Sequence, residues 1–250
     1  MQGTTAKLAQ ILANTVAGVL LLTCTPLCAQ TPSSRVLSPD SDVLQRLKNA
    51  YGGARLDQSD SLAEATVTLQ TATGPVAVPV TIVRSAGGGQ RIQFNQSNGK
   101  PWDGNALTLE PIGRRVLEFV QTGHARALLN IFKATSRNAQ VVDSGASDGA
   151  RLLDVRETSG ASTRYSLDAS TFQLRRMDFQ RGQSVDAAGK IKPLVETYLY
   201  SDFRPIAGIS TAFKVEHYSN GTKQEELTFT NVRYVQANPA AANTMPGGQR

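Results

Sequence analysis

From Glu64 to Val235 the chain repeats one pattern, a short alternating segment rich in Val, Leu, Phe, Tyr and Thr followed by a turn. Three such segments come early: EATVTLQT, VAVPVTIVRS and QRIQFNQ. Seven come later: AQVVDSG, ARLLDVRET, TRYSLDAS, FQLRRMDFQR, PLVETYLYSDF, TAFKVEHYSN and TKQEELTFTNVRYV. The links between neighbours are Gly, Pro, Asn and Asp turns, such as Gly87-Gly88-Gly89 and Asn220-Gly221. A parallel pair needs a crossover of a dozen or more residues, so turns this short impose antiparallel pairing. The pattern predicts one continuous antiparallel sheet of about ten strands.

Two stretches carry a helical period instead. Asp40 or Ser41 can cap a helix with apolar positions Val43, Leu44, Leu47, Ala50 and Tyr51, ended by Gly52-Gly53. A second stretch runs from about Leu117 to Lys133, with Gly123 as a break. The fold class is therefore α+β. VAVPVTIVRS carries apolar residues on both faces: Val76, Val78, Val80 and Ile82 on one, and Ala77, Pro79 and Val83 beside Thr81 on the other. A one-sided sheet alternates cleanly, so some cover on both faces is expected, from helices or from an apolar ligand.

The ends of the chain read differently. Lys7 precedes the apolar run Ile11 to Leu22, and Leu27-Cys28-Ala29 offers a small-residue cleavage site. That is the layout of a secretory signal peptide over residues 1–29. Residues 30–39 then read as a linker, 40–236 as a single domain, and 237–250 as a tail of disordered composition. Both cysteines, Cys24 and Cys28, fall in the leader, so cleavage after Ala29 leaves no thiol for disulfide, metal or catalysis. Leu21-Leu22-Thr23-Cys24 also approximates a lipobox, in which Cys24 would carry a lipid anchor. Without Lys7 the net charge falls from +6 to +5, and no nucleic-acid motif accompanies it. Arg114, Arg115, Arg126, Lys133 and Arg137 face a lone Glu118, which suits either a solvated helix face or an anionic membrane surface.

The order of these pieces resembles the bacterial outer-membrane lipoprotein-sorting superfamily (LolA/LppX-like). The resemblance rests on LQRLKNAYGG, a helix ending in Gly-Gly, and on YLYSDFRPIAGISTAFKVEHYSNG followed by ELTFTNVRYV. It spans roughly Val43 to Val235, and departs from the pattern at Thr211-Ala212-Phe213, where many relatives carry Leu-Pro-Phe. The resemblance implies a curved open antiparallel sheet, an incomplete barrel, wrapped around two or three helices. It also implies an apolar cavity that holds lipid or acyl chains, or the acyl chains of lipoproteins in transit, capped by the corner from Pro205 to Phe213.

Matching periods place Leu117, Val120, Leu128 and Ile131 on the helices against Val80, Ile82, Ile92 and Phe94 on the sheet, and the resemblance implies that Ile206, Ile209 and Phe213 plug the interior. The helix and sheet residues, with Phe213, are the expected ligand-lining residues. Trp102, beside Pro101 and Gly104, is a candidate lid residue or a packing residue. No catalytic, metal-binding or cofactor-binding residue is expected. Gly145-Ala146-Ser147-Asp148-Gly149 matches G-x-S-x-G, with Asp202 and His217 following in triad order. A nucleophile elbow needs a helix after the serine, and ARLLDVRET alternates as a strand, so the match reads as a hairpin turn. His124 reads as a structural residue and His217 as a solvated one. The expectation is a noncatalytic, monomeric carrier or sensor of a lipid-like or acyl ligand in the periplasm or outside the cell. The alternative is a protein-interaction module of the envelope with a filled core.

Overall fold

All ten alternating segments become strands. The computed structural model describes residues 34–236 apart from 87–88, 96–110, 126–130, 135–137 and 186–187. After β1 (Arg35–Val36) come α1 (Asp42–Ala50) and α2 (Ala54–Gln58), then β2 (Ser59–Thr71), β3 (Gly74–Arg84) and β4 (Gln90–Phe94). Next is α3 (Ile112–Ala125). Seven strands complete the described chain: β5 (Ala139–Ser147), β6 (Ala150–Glu157), β7 (Ser162–Asp168), β8 (Leu174–Val185), β9 (Ile191–Ile206), β10 (Ile209–Ser219) and β11 (Thr222–Gln236).

They form one 11-stranded sheet in the order β1-β5-β6-β7-β8-β9-β10-β11-β2-β3-β4. Every pair is antiparallel. β1 and β4 are its two edges, so the sheet is open. The eleventh strand is the one the sequence concealed. Arg35 and Val36, inside the expected linker, pair with Asp143 and Val142, and the Leu37 N–H donates to Val141 O at 2.8 Å. Two residues are too short a run to carry a period.

Three hairpins turn on residues in the left-handed region: Asp148-Gly149 (φ 51° and 76°), Ala207-Gly208 (51° and 79°) and Asn220-Gly221 (47° and 79°). Consecutive positive φ values define the type I′ turn, whose twist matches that of the strands it joins. Two irregularities bend the long strands. Asp202, at φ 52°, shifts the inward-facing positions of β9 from Tyr198 and Tyr200 to Phe203. The register of β11 slips between Phe229 and Asn231, so the inward set changes from Leu227 and Phe229 to Val232 and Tyr234. Each extra residue adds local bend and twist, which curves the sheet around its inner face.

α1 buries Leu44 and Leu47, and Tyr51 follows them into the core. Its end is a Schellman motif: Gly52 N–H donates to Asn49 O at 3.1 Å and Gly53 N–H to Lys48 O at 2.9 Å, with Gly52 at φ 90°. Tyr51 fixes the helix to the sheet by accepting the Leu174 N–H at 2.8 Å in the interior.

α3 turns Val116, Phe119 and Val120 inward at helical spacing. The expected break at Gly123 is corrected: the helix runs through it to Ala125. Gly123 is there for close approach. A Cβ at that position would lie 2.7 Å from Tyr198 Cε1, and the Gly123 carbonyl accepts a 2.8 Å hydrogen bond from the Tyr200 hydroxyl.

The expectation of cover on both faces of β3 is corrected as well. Val78, Val80 and Ile82 are buried, whereas Ala77 and Val83 on the other face are exposed. Small and β-branched residues suit a strand backbone, so an apolar outer face here reflects strand propensity. At the far side of the sheet, Leu153, Tyr165, Leu167 and Met177 are fully buried and fill the interior over β6 to β8.

Candidate ligand cavity

The inner face of β2, β3, β10 and β11 does not fill in the same way. A cavity of about 130 Å³ lies between it and α3. Phe119, Val120 and Gly123 form its helical wall. Ala63, Ile82, Val215, Leu227, Phe229 and Val232 form most of the sheet wall. Tyr51 and Leu56 close it from α1 and α2. Polar side chains gather on one row across the strands: Arg84 is paired with Ser61, and Ser61 with Tyr234. Tyr234 is joined in turn to Thr211, whose hydroxyl oxygen lies 2.9 Å from the tyrosine oxygen. Arg84 is desolvated enough that its guanidinium is pushed down to about 10.

Toward the β10–β11 turn lies a second cleft of about 650 Å³, which is polar. Phe119 lines both spaces and so stands between them. At its floor His217 is held by two carboxylates, Nδ1 to Glu225 Oε2 at 2.5 Å and Nε2 to Glu196 Oε2 at 2.7 Å. Arg115 of α3 donates to Glu225 Oε1 at 2.6 Å, and Tyr198 stacks on the imidazole at a centroid distance of 4.5 Å. With His217 protonated, two carboxylates meet one imidazolium and one guanidinium, and the charges sum to zero. Burial pulls the His217 pKa down, but the hydrogen bonds and charges of Glu225 and Glu196 prevail and raise it. Burial pushes the Glu225 carboxyl up, and the bonds from His217 and Arg115 prevail and lower it.

The solvated reading of His217 is therefore corrected: it is buried on the inner face of β10. The signal was present in the strand period, since His217 shares the parity of Val215. Of the expected ligand-lining residues, Ile82 and Val120 line the cavity. Val80 and Ile131 are buried in the surrounding core, and Ile92 and Phe94 pack against it half-buried. Leu117 is a correction. It is half-buried on the flank of α3, because Val116 and Phe119 take the inward positions. Phe213 is buried beside the cavity, edge-on to Phe229 at 6.3 Å and covered by the Arg204 guanidinium at 4.1 Å. Leu128, Trp102, the leader with Cys24 and the tail lie outside the described residues, as does the side chain of His124. The basic helix face is partly spent internally, with Arg115 on Glu225 and Glu118 paired to Arg181.

The G-x-S-x-G match is the β5–β6 hairpin turn, and its triad does not assemble. Ser147 Oγ bonds Asp148, Asp202 bonds Arg204, and both ring nitrogens of His217 are taken by glutamates. Among the described residues, no three His, Cys, Asp or Glu side chains are arranged to hold a metal ion.

No protein-family model matches the sequence, and no curated protein matches it. Solved structures are similar in fold. A LolA superfamily protein from Nitrosomonas europaea superposes with a TM-score of 0.52 at 10% identity, covering 80% of this chain and 94% of that one. A DUF1329 family protein from Desulfovibrio piger gives 0.47 at 13% identity, covering 80% and 95%. An outer membrane lipoprotein-sorting protein domain from Vibrio parahaemolyticus gives 0.45 at 13% identity, covering 80% and 94%. The Nitrosomonas structure carries the comparison: the chain has a LolA-like fold, an open antiparallel half-barrel with helices against its inner face.

Proposed function

We propose that this protein is a noncatalytic carrier of a lipid-like or acyl ligand in the cell envelope, reached through a cleaved or lipidated leader. The observation that carries this reading is the cavity between α3 and the sheet, walled on both sides by apolar side chains. A space of about 130 Å³ is close to an apolar cavity that takes a benzene-sized group, and below the roughly 300 Å³ of an ordinary ligand pocket. It therefore receives the end of an acyl chain as it stands. A longer stretch enters by displacing α3 or the corner around Ala207-Gly208. Each apolar Å² hidden from water contributes about 25 cal/mol, so the walls alone favour an acyl tail over water.

The opposing reading, a protein-interaction module, draws on one observation: the β6–β8 side of the interior is filled. The two readings separate on solvent extraction of the purified protein followed by mass spectrometry. The carrier reading expects a stoichiometric acyl lipid, or its uptake from vesicles by the delipidated protein. Protein that carries no lipid and takes none up leaves the interaction module.

A further inference from the structure

We infer that the polar row at one side of the cavity is an oxyanion site, in which Arg84 holds the anionic head of an acyl amphiphile, a carboxylate or a phosphate monoester. This rests on the carrier reading and adds the chemical class of the ligand.

Arg84 is the last residue of β3 and continues the inward parity of Val78, Val80 and Ile82. It thus presents a guanidinium where the pattern would place an aliphatic side chain. Several inward or strand-borne arginines meet carboxylates: Arg115 with Glu225, Arg164 with Asp154, Arg176 with Asp178, Arg204 with Asp202. Arg84 meets none. The ionisable group beside it is the phenol of Tyr234, and no carboxylate stands with it among the described residues. Burial lowers its basicity without discharging it, so a positive charge faces an apolar cavity without a counter-ion among the described residues.

A desolvated cation without a partner is costly to a fold, and a ligand that brings the counter-charge recovers that cost on binding. A guanidinium is planar and forked, and it matches a carboxylate or phosphate with two parallel hydrogen bonds. Ser61 and the Thr211–Tyr234 hydroxyl pair stand on the same row and can supply further donors. Beyond the row the walls are Phe119, Val120 and Leu227, which accept methylene groups and no charge. One charged edge beside an apolar interior is the complement of an amphiphile with a single anionic head.

The test is calorimetric titration of the delipidated full chain with three ligands of the same oleoyl tail: oleate, 1-oleoyl lysophosphatidate and neutral mono-oleoylglycerol. Wild-type protein is expected to bind one or both anions about tenfold or more tightly than the neutral lipid, the scale of a charge-assisted pair. Which anion leads identifies the head. Arg84→Gln should abolish that preference while leaving mono-oleoylglycerol binding in place, and Arg84→Lys should keep part of it. If wild type binds the neutral lipid as tightly as both anions, the Arg84 site is overturned and the carrier stands. Binding of none of the three overturns both. The wild-type comparison decides the matter even where Arg84→Gln does not fold.

Discussion

Gly52 and Gly208 lie against each other: a Cβ on Gly52 would meet the Gly208 carbonyl oxygen at 2.8 Å and Ile209 Cγ1 at 3.1 Å. The glycine that ends α1 is thus packed on the turn between β9 and β10. This explains why an apolar corner occurs where a solvated loop would be ordinary. Pro205 to Ile209 is the seat on which the first helix ends, with Ile209 buried beneath it. Gly52→Ala meets both a left-handed backbone and a backbone oxygen, and should cost about 2–3 kcal/mol in urea unfolding. Gly53→Ala is the control. Its φ of 64° carries strain, but the nearest atom to a new Cβ is Asn49 Oδ1 at 3.8 Å, so a loss of about 1 kcal/mol is expected. Equal losses at the two positions would contradict the packing account.

Gly123 gives a second comparison with a definite sign. On an exposed helix face, Gly→Ala stabilises by about 1 kcal/mol. At Gly123 the new methyl would meet Tyr198 Cε1 at 2.7 Å and Cδ1 at 2.9 Å. The ring cannot easily yield, because it is stacked between His217 at 4.5 Å and Phe179 at 6.1 Å. Gly123→Ala should therefore destabilise, by about 1–2 kcal/mol once overpacking outweighs the helical gain. Tyr198→Leu removes the obstructing ring. Added to that background, Gly123→Ala should lose most of its penalty in a double-mutant cycle.

These two glycines also mark where the sequence was legible and where it was not. Strand identity and order of appearance followed from period and turn chemistry, which are local. Gly123 looked like a helix break because the sequence carries no trace of Tyr198 approaching from 75 residues away. His217 looked solvated because polar residues usually are, although its parity with Val215 placed it inside. Its partners Glu196 and Glu225 come from the two neighbouring strands, and only the sheet register joins them. The cavity was half legible. The amphipathic period turns Val120 inward, where the structure has it buried, but assigns Leu117 the inward position that Val116 and Phe119 hold. Arg84 shares the parity of Val78, Val80 and Ile82, so the strand period points it inward, but a charged residue near a strand end does not itself announce a cavity.

The buried imidazole makes stability depend on pH in a defined window. The folded His217 pKa stands above its ordinary 6.5, so its contribution is full below that value and is lost as pH rises through the folded pKa. The folded Glu225 pKa stands below its ordinary 4.5, so its contribution is full above that value and is lost as pH falls through the folded pKa. Both are present between about 4.5 and 6.5. His217→Gln leaves Glu196 and Glu225 without the charge between them, and should cost about 3 kcal/mol in that window. Thermal unfolding of wild type and variant across pH 4 to 9 should show the largest separation near pH 5–6, narrowing toward alkaline pH. A separation that widens from pH 6 to 9 would mean that His217 is neutral in the fold.

The cavity itself can be tested by filling it. Ala63 lies on β2, buried, with its side chain on the cavity wall opposite α3. Ala63→Leu adds three carbon atoms into a space of about 130 Å³. If that space is open, the new side chain occupies it, gains apolar contacts and leaves stability within about 1 kcal/mol of wild type. If the walls are in fact collapsed, the same change overpacks the core and costs about 1–3 kcal/mol. Ligand uptake separates the outcomes further. A filled cavity should exclude oleoyl lipids while urea unfolding stays close to wild type, because the ligand and the leucine compete for one volume. A variant that keeps both its stability and its full lipid uptake would place the ligand elsewhere on the molecule, and the walls formed by Phe119, Val120 and Leu227 would then have no part in binding.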